Sequence, residues 1–457
     1  MGNWEAGTGR VCITPPIGLI MSGYADRDQL SKGVHDDLYA KALVLGDGKT
    51  KIAVVTTDLA GVDKGLVAQI RQTAWNRTGI KKENIMIAAS HTHSGPEGTR
   101  RYESLGIPTE DKAIEGLSKD DYVDHLRDTT ARWIAGAIYK ADNNLEKARI
   151  GVGKGEVYTV GLNRRDPKGP MDPEVGVIRV DNAGGEPRAV LMNFACHPTV
   201  LGSSNYLYSA DYPGYAMRTV ETALGEGVQA MFMNGACGNI STRFTRREQT
   251  FREAERLGSI LGSEALRVAL EMKTADEVKL GAISKIVGLP AKRFPTVEEA
   301  RETAKLEKEK YNNLEKKGAS HGEMRIAYTS MEGAQRILKL VETGIGQLKK
   351  IETEMQAFRI GDCVLFAEPG ELFIEIALDI RRNSKLKNTF VVGYANDSVG
   401  YIPTKKAYEE GLYETFSTLL SPDAGQIVRD TAVELIEQVH SEHYPTSIRL
   451  PPRARSI

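Results

Sequence analysis

The strongest constraint on this chain is the apolar run Ile85-Met86-Ile87-Ala88-Ala89, which passes through Ser90 into His91-Thr92-His93-Ser94 and then meets Gly95-Pro96. A short apolar run stopped by Gly-Pro reads as a buried strand that ends abruptly. Such a strand delivers two imidazoles to the edge of a sheet. Residues i and i+2 of a strand point to the same face, so His91 and His93 are expected to look the same way, about 7 Å apart along the chain. That arrangement suits one metal ligand beside one acid/base or oxyanion partner.

Three other segments share the pattern of an apolar run, a polar or ionisable residue, and then Gly or Pro. They are Ala195-Cys196-His197-Pro198, Glu368-Pro369-Gly370-Glu371, and Ala395-Asn396-Asp397 through Tyr401-Ile402-Pro403. In open α/β sheets, ligands bind outside the carboxyl ends of the strands. Convergence of these ends would gather two or three histidines, a glutamate and a tyrosine in one crevice. A single histidine after a strand is ordinarily a hydrogen-bonded structural residue. The doublet together with His197 points instead to a metal, because zinc takes imidazole nitrogen and carboxylate oxygen and leaves a position for water.

The rest of the chain reads as α/β: a mixed β-sheet core flanked by helices, with a charged helical hairpin insertion. Ala42 to Leu45 and Lys51 to Thr57 flank Gly46-Asp47-Gly48 as a hairpin. Helices are expected at Val67–Trp75, Tyr122–Tyr139, Tyr212–Leu224, Phe251–Met272 and Ala424–His440. Strands are expected within Ala148–Phe194 and at Val228–Met233, Cys363–Ala367 and Thr389–Tyr394. Residues 294–350 are rich in Glu, Lys and Ala and form the hairpin, broken near Lys317-Gly318-Ala319-Ser320. One domain spans 1–440, and a Pro/Arg-rich tail spans 441–457. The formal net charge of −1 favours neither nucleic acid nor an anionic membrane. No window is apolar enough for stable membrane insertion, and Met1-Gly2-Asn3-Trp4-Glu5 lacks the basic and apolar regions of a secretory signal. Cys12, Cys196, Cys237 and Cys363 are widely spaced and read as buried thiols. These features imply a cytoplasmic protein.

Several segments together resemble the catalytic domain of the neutral/alkaline non-lysosomal ceramidases and their bacterial relatives. They are ITPPIG (13–18), GVHDDLYAKALVL (33–45), SHTHSGP (90–96), LNRR (162–165), NFACHPT (193–199), SADYPGYA (209–216), NGACGNIS (234–241), AEPGE (367–371) and GYIPT (400–404). The resemblance implies that His91, His197, Glu371 and Tyr401 hold one zinc ion. It further implies that His93 and Tyr413 act at the oxyanion or handle protons, that Ser241 is a nucleophile or a substrate contact, and that Arg164 belongs to the active site. From the residues alone, Ser241 could equally cap a turn, Arg164 and Arg165 could be a solvated pair, and His35 could be structural.

The chain departs from the family at Gly238-Asn239-Ile240-Ser241-Thr242, where Gly-Asp-Val-Ser-Pro is usual. Glu97-Gly98-Thr99-Arg100-Arg101, polar and basic, follow SHTHSGP, and no immunoglobulin-like carboxyl-terminal domain is expected after the catalytic segment. The expectation is therefore a zinc-dependent hydrolase cleaving the amide bond of a small polar N-acyl compound. An ester or glycosidic hydrolase, and a non-catalytic binding protein, are the alternatives. A homo-oligomer is possible on sequence grounds, and manganese or iron would accept the same donors as zinc.

Overall fold

The computed structural model describes residues 4–441 apart from 25, 100–118, 277, 320, 343 and 345–347. Tyr39–Gly46 and Lys51–Thr57 pair antiparallel, as the turn Gly46-Asp47-Gly48 between two apolar runs predicts. Their turn is closed by Asp47, whose carboxylate accepts from the N–H groups of Lys49 and Thr50, while Gly48 takes the left-handed φ of 83°.

That hairpin lies within an eight-stranded mixed sheet. From edge to edge the strands are Gln229–Asn234, Pro187–Phe194, Glu174–Asn182, Glu146–Glu156, Glu5–Cys12, Tyr39–Gly46, Lys51–Thr57 and Ile85–Ala89. The outermost pair at each edge is parallel, and the pairs between them are antiparallel. The sheet bends until its edges meet: Asn234 Nδ2 at the end of one edge strand donates to the Ser90 carbonyl at the end of the other, at 2.9 Å. His91 and His197, on loops after opposite sides of the sheet, are thereby brought together.

A second sheet of Leu280–Pro290, Lys350–Ile360, Cys363–Ala367 and Asn388–Val392 packs on the first. Phe358, Leu365 and Phe390 are fully buried against Leu43, Ile52, Val54 and Leu191, each burial contributing about 1.5–3 kcal/mol. Helices Lys119–Asn143 and Phe251–Glu271 cover the first sheet, and Ala424–His440 covers the second. The α/β reading thus holds.

The helical insertion consists of Val297–Lys316 and His321–Glu342. Thr296 and Glu299 form a capping box at its start, and Gly318 turns the chain at φ 64°. Its helices end at Glu342, short of the expected 350, and the strand Lys350–Ile360 follows. That strand alternates buried and exposed residues, but its charged members continue the Glu/Lys composition of the helices before it. Cys12 is exposed rather than buried, at the end of its strand, whereas Cys196, Cys237 and Cys363 are buried thiols. The tail beyond Ser441 and residues Arg100 and Arg101 lie outside the described residues. Among the described residues, no helix is long and apolar enough to cross a membrane.

Candidate active site

The strand Ile85–Ala89 ends before either histidine. The chain turns sharply at His91, whose φ is 66°, an unusual value for a residue with a side chain. Its N–H donates to the Leu59 carbonyl at 2.9 Å, and its Nδ1 lies 2.6 Å from the Ala60 carbonyl. The two histidines therefore do not share a strand face about 7 Å apart. The turn folds them together, with rings nearly perpendicular and Nε2 atoms 3.1 Å apart. Gly23, at φ 102°, passes so close to His93 that any Cβ there would collide with the imidazole.

His197 follows the strand Pro187–Phe194. Its N–H donates to Ile240, and its Nδ1 lies 2.6 Å from the Cys237 carbonyl. Glu371 and Tyr401 face each other in a two-residue parallel pair, Glu371–Leu372 with Tyr401–Ile402. That register is what gives one crevice both a carboxylate and a phenol. The loop carrying Cys237 packs on Glu371 so tightly that Gly238 has no room for a Cβ against the Glu371 carbonyl.

Glu371 Oε2 sits 3.1 Å from His197 Nε2 and 3.5 Å from His91 Nε2. Because each Nδ1 is committed to a main-chain carbonyl, the neutral form of each ring presents Nε2 as a lone pair. Burial, reinforced by the charge of Arg164, pushes His197 down to about 4, so it is neutral near pH 7. Burial alone would raise the Glu371 carboxyl, yet His91 and His197 hold it well below the usual carboxylate range. With Nδ1 of each ring taken up by a main-chain carbonyl, the two Nε2 atoms and the carboxylate oxygen converge on one point, an arrangement suited to a cation. Zinc bonds of about 2.0–2.2 Å place tetrahedral ligands about 3.3–3.5 Å apart, close to the spacings found. The residues present therefore fit a divalent metal. Nitrogens of His91, His93 and His197 all lie within 4.8 Å of one another, so His93 is also within the reach of such an ion.

Arg164 closes the far side. Its guanidinium donates to Glu414, to the Gly238 carbonyl and to the Tyr401 hydroxyl, the last at 3.1 Å. Arg165 binds the other oxygen of Glu414 and also Glu410, so the two arginines are anchored rather than a solvated pair. Burial holds the Tyr401 phenol well above its ordinary pKa, against the opposing charge of Arg164. Tyr413 stands edge-on to Tyr401 with ring centroids 5.8 Å apart and is partly exposed. Ser241 is buried, bridges to His197, and its hydroxyl accepts from the Arg243 N–H as a turn cap. His35 stacks on Phe251 at 3.6 Å, away from this cluster, consistent with a structural role.

Sequence reasoning did not find Tyr394, Cys237 or Glu414. Tyr394 stacks on His91 with ring centroids 4.0 Å apart, and its hydroxyl meets the Cys237 thiol at 3.0 Å. Tyr394 and Cys237 lie two and three residues past the strand ends at Val392 and Asn234, a position that could have marked them, whereas Glu414, in the helix Tyr413–Ser417, carries no such signal.

A bent mixed sheet with histidines and a glutamate gathered at its strand ends marks a hydrolase of mixed α/β architecture. The model of the neutral/alkaline non-lysosomal ceramidase family, N-terminal part, matches residues 4–245, and the chain belongs to that family. The chain is 24% identical over 510 residues to the neutral ceramidase of Pseudomonas aeruginosa, covering 96% of this chain and 73% of that protein. It is 30% identical over 232 residues to neutral ceramidase A of Dictyostelium discoideum, covering 47% of this chain and 31% of that one. The crystal structure of the P. aeruginosa neutral ceramidase superposes with a TM-score of 0.74 at 22% identity, covering 98% of this chain and 77% of that one.

Proposed function

We propose that this enzyme is a zinc-dependent hydrolase of the amide (C–N) bond of an N-acylated compound. The observation that carries the reading is the convergence of His91 Nε2, His197 Nε2 and Glu371 Oε2, with the other nitrogen of each ring held by a main-chain carbonyl. These three and Tyr401 would hold the ion. A divalent cation held there would supply Lewis acidity and a means of activating water near neutral pH. The protein's own groups do the rest. We read His93, beside His91, as the group that passes a proton to the leaving nitrogen or donates to the oxyanion, and Tyr413, edge-on to Tyr401, as a second donor. Removing one such donor typically costs about 3–4 kcal/mol of transition-state stabilisation. Arg164 fixes the Tyr401 hydroxyl and, with Ser241, orients substrate.

The relatives are named for ceramide hydrolysis, and one local feature favours an acyl tail over a small polar compound. Leu412, Tyr413 and Phe416 are 41%, 38% and 42% exposed, and Tyr413 of this apolar group stands edge-on to Tyr401. Elemental analysis of the purified protein, with rates on N-acyl substrates of rising chain length before and after chelation, tests the reading. One bound zinc, chelator-sensitive cleavage and rates rising with chain length are expected. A metal-free active enzyme would overturn it, and activity confined to esters or glycosides would transfer the chemistry to another bond.

A further inference from the structure

Tyr394 touches each of the three segments that carry the candidate ligands. Its carbonyl accepts from the Ala89 N–H at 3.1 Å, at the root of the His91 turn, and its own N–H donates to the Gly370 carbonyl, next to Glu371. Its ring lies on the face of His91, 17° from parallel. Its hydroxyl meets the thiol of Cys237, the residue whose carbonyl orients His197. Tyr394 is buried and adopts a φ of 56°, a conformation that costs energy in a non-glycine residue and persists only where the surroundings impose it. Main-chain bonds fix where His91 sits, and the Nδ1 contact to the Ala60 carbonyl holds one edge of its ring. Rotation about the last side-chain bond is intrinsically soft, and the stacked phenol restricts the tilt that this single contact leaves.

We infer that Tyr394, held by the Cys237 thiol, is a positioning residue that sets the plane of His91 and ties it to His197 and Glu371. This rests on the metal reading above. The test is zinc affinity, measured by competition with a chromogenic chelator, together with the visible absorption of the cobalt(II)-substituted protein, for wild type, Tyr394→Leu, Tyr394→Phe and Cys237→Ser. Urea unfolding of the metal-free proteins serves as the control for folding. Groups that orient metal ligands typically change affinity about 10–100-fold. Tyr394→Leu is expected to lose affinity in that range and to shift the cobalt bands. Tyr394→Phe keeps the stack and loses the thiol contact, so a few-fold loss is expected. Cys237→Ser keeps a hydroxyl partner and should stay near wild type. Wild-type affinity and spectrum in Tyr394→Leu would overturn the inference while leaving the metal site standing. Should Tyr394→Leu fail to fold, Tyr394→Phe decides, and an unchanged affinity there overturns it. A wild-type protein that binds neither zinc nor cobalt removes the metal reading and this inference with it.

Discussion

The floor and the rim of the crevice are built on opposite principles. On the floor, His91 and His197 are buried, each ring is tied to a main-chain carbonyl, and His91 and Tyr394 sit in left-handed conformations that only dense packing maintains. On the rim, Leu412 and, in the five-residue helix after it, Tyr413 and Phe416 expose large apolar side chains. Gly333 of the helical insertion packs against Phe416. The floor is organised for one geometry and the rim for contact with something apolar, so changes to the two should affect different steps.

The sharpest break would come from the floor. His197→Ala should remove bound zinc and lower turnover by about a thousand-fold or more, as loss of several kcal/mol of charge stabilisation requires. Retention of both would dissolve the distinction. His93→Ala separates two roles on the same floor. If His93 handles protons, turnover falls by about 10²–10⁴-fold while zinc stays bound; loss of zinc equal to that of His197→Ala would make it a ligand instead. On the rim, Phe416→Ala should raise KM for long-chain N-acyl substrates up to about tenfold, leave short-chain substrates alone and leave zinc content unchanged. Equal effects on both chain lengths would show that the rim does not meet the acyl tail.

The smallest expected effect concerns Asp58, which precedes the Leu59 and Ala60 carbonyls that hold His91. Burial pushes its carboxyl up to about 7 from 3.8. The unfolded chain releases this proton near pH 4 and the folded chain only near pH 7, so stability falls as pH rises through that window. The slope is at most about 1.4 kcal/mol per pH unit. Asp58→Asn still accepts from the Tyr39 N–H and should flatten it. Urea unfolding of both proteins at pH 5 and 7.5 checks this; a stability difference between them that is the same at both pH values would show that Asp58 does not titrate there.

Strand ends and helices were largely legible in sequence, because burial on one or both faces writes a period into the residues. The hairpin at Asp47-Gly48 and the helix Ala424–His440 were read closely. The strand Lys350–Ile360 was not, since its exposed charges blend with the insertion before it. His91, His197, Glu371 and Tyr401 were marked as polar residues at strand ends, but their meeting depends on a sheet that bends edge to edge and on one left-handed turn, neither of which has a local sequence signature. The Arg164–Glu414 pair joins residues 250 positions apart, and Tyr394 looks in sequence like any core aromatic.

Anchoring both imidazoles on main-chain carbonyls has a consequence for how this site can vary. A carboxylate partner can be exchanged by altering one codon, which retunes the basicity of the ring it faces. A peptide oxygen cannot be exchanged that way. Adjusting the donor strength of His91 or His197 in this architecture requires moving the Leu59–Ala60 or Cys237–Ile240 backbone as a whole, so tuning by natural or laboratory selection should appear as loop replacements in those two stretches rather than as single side-chain changes.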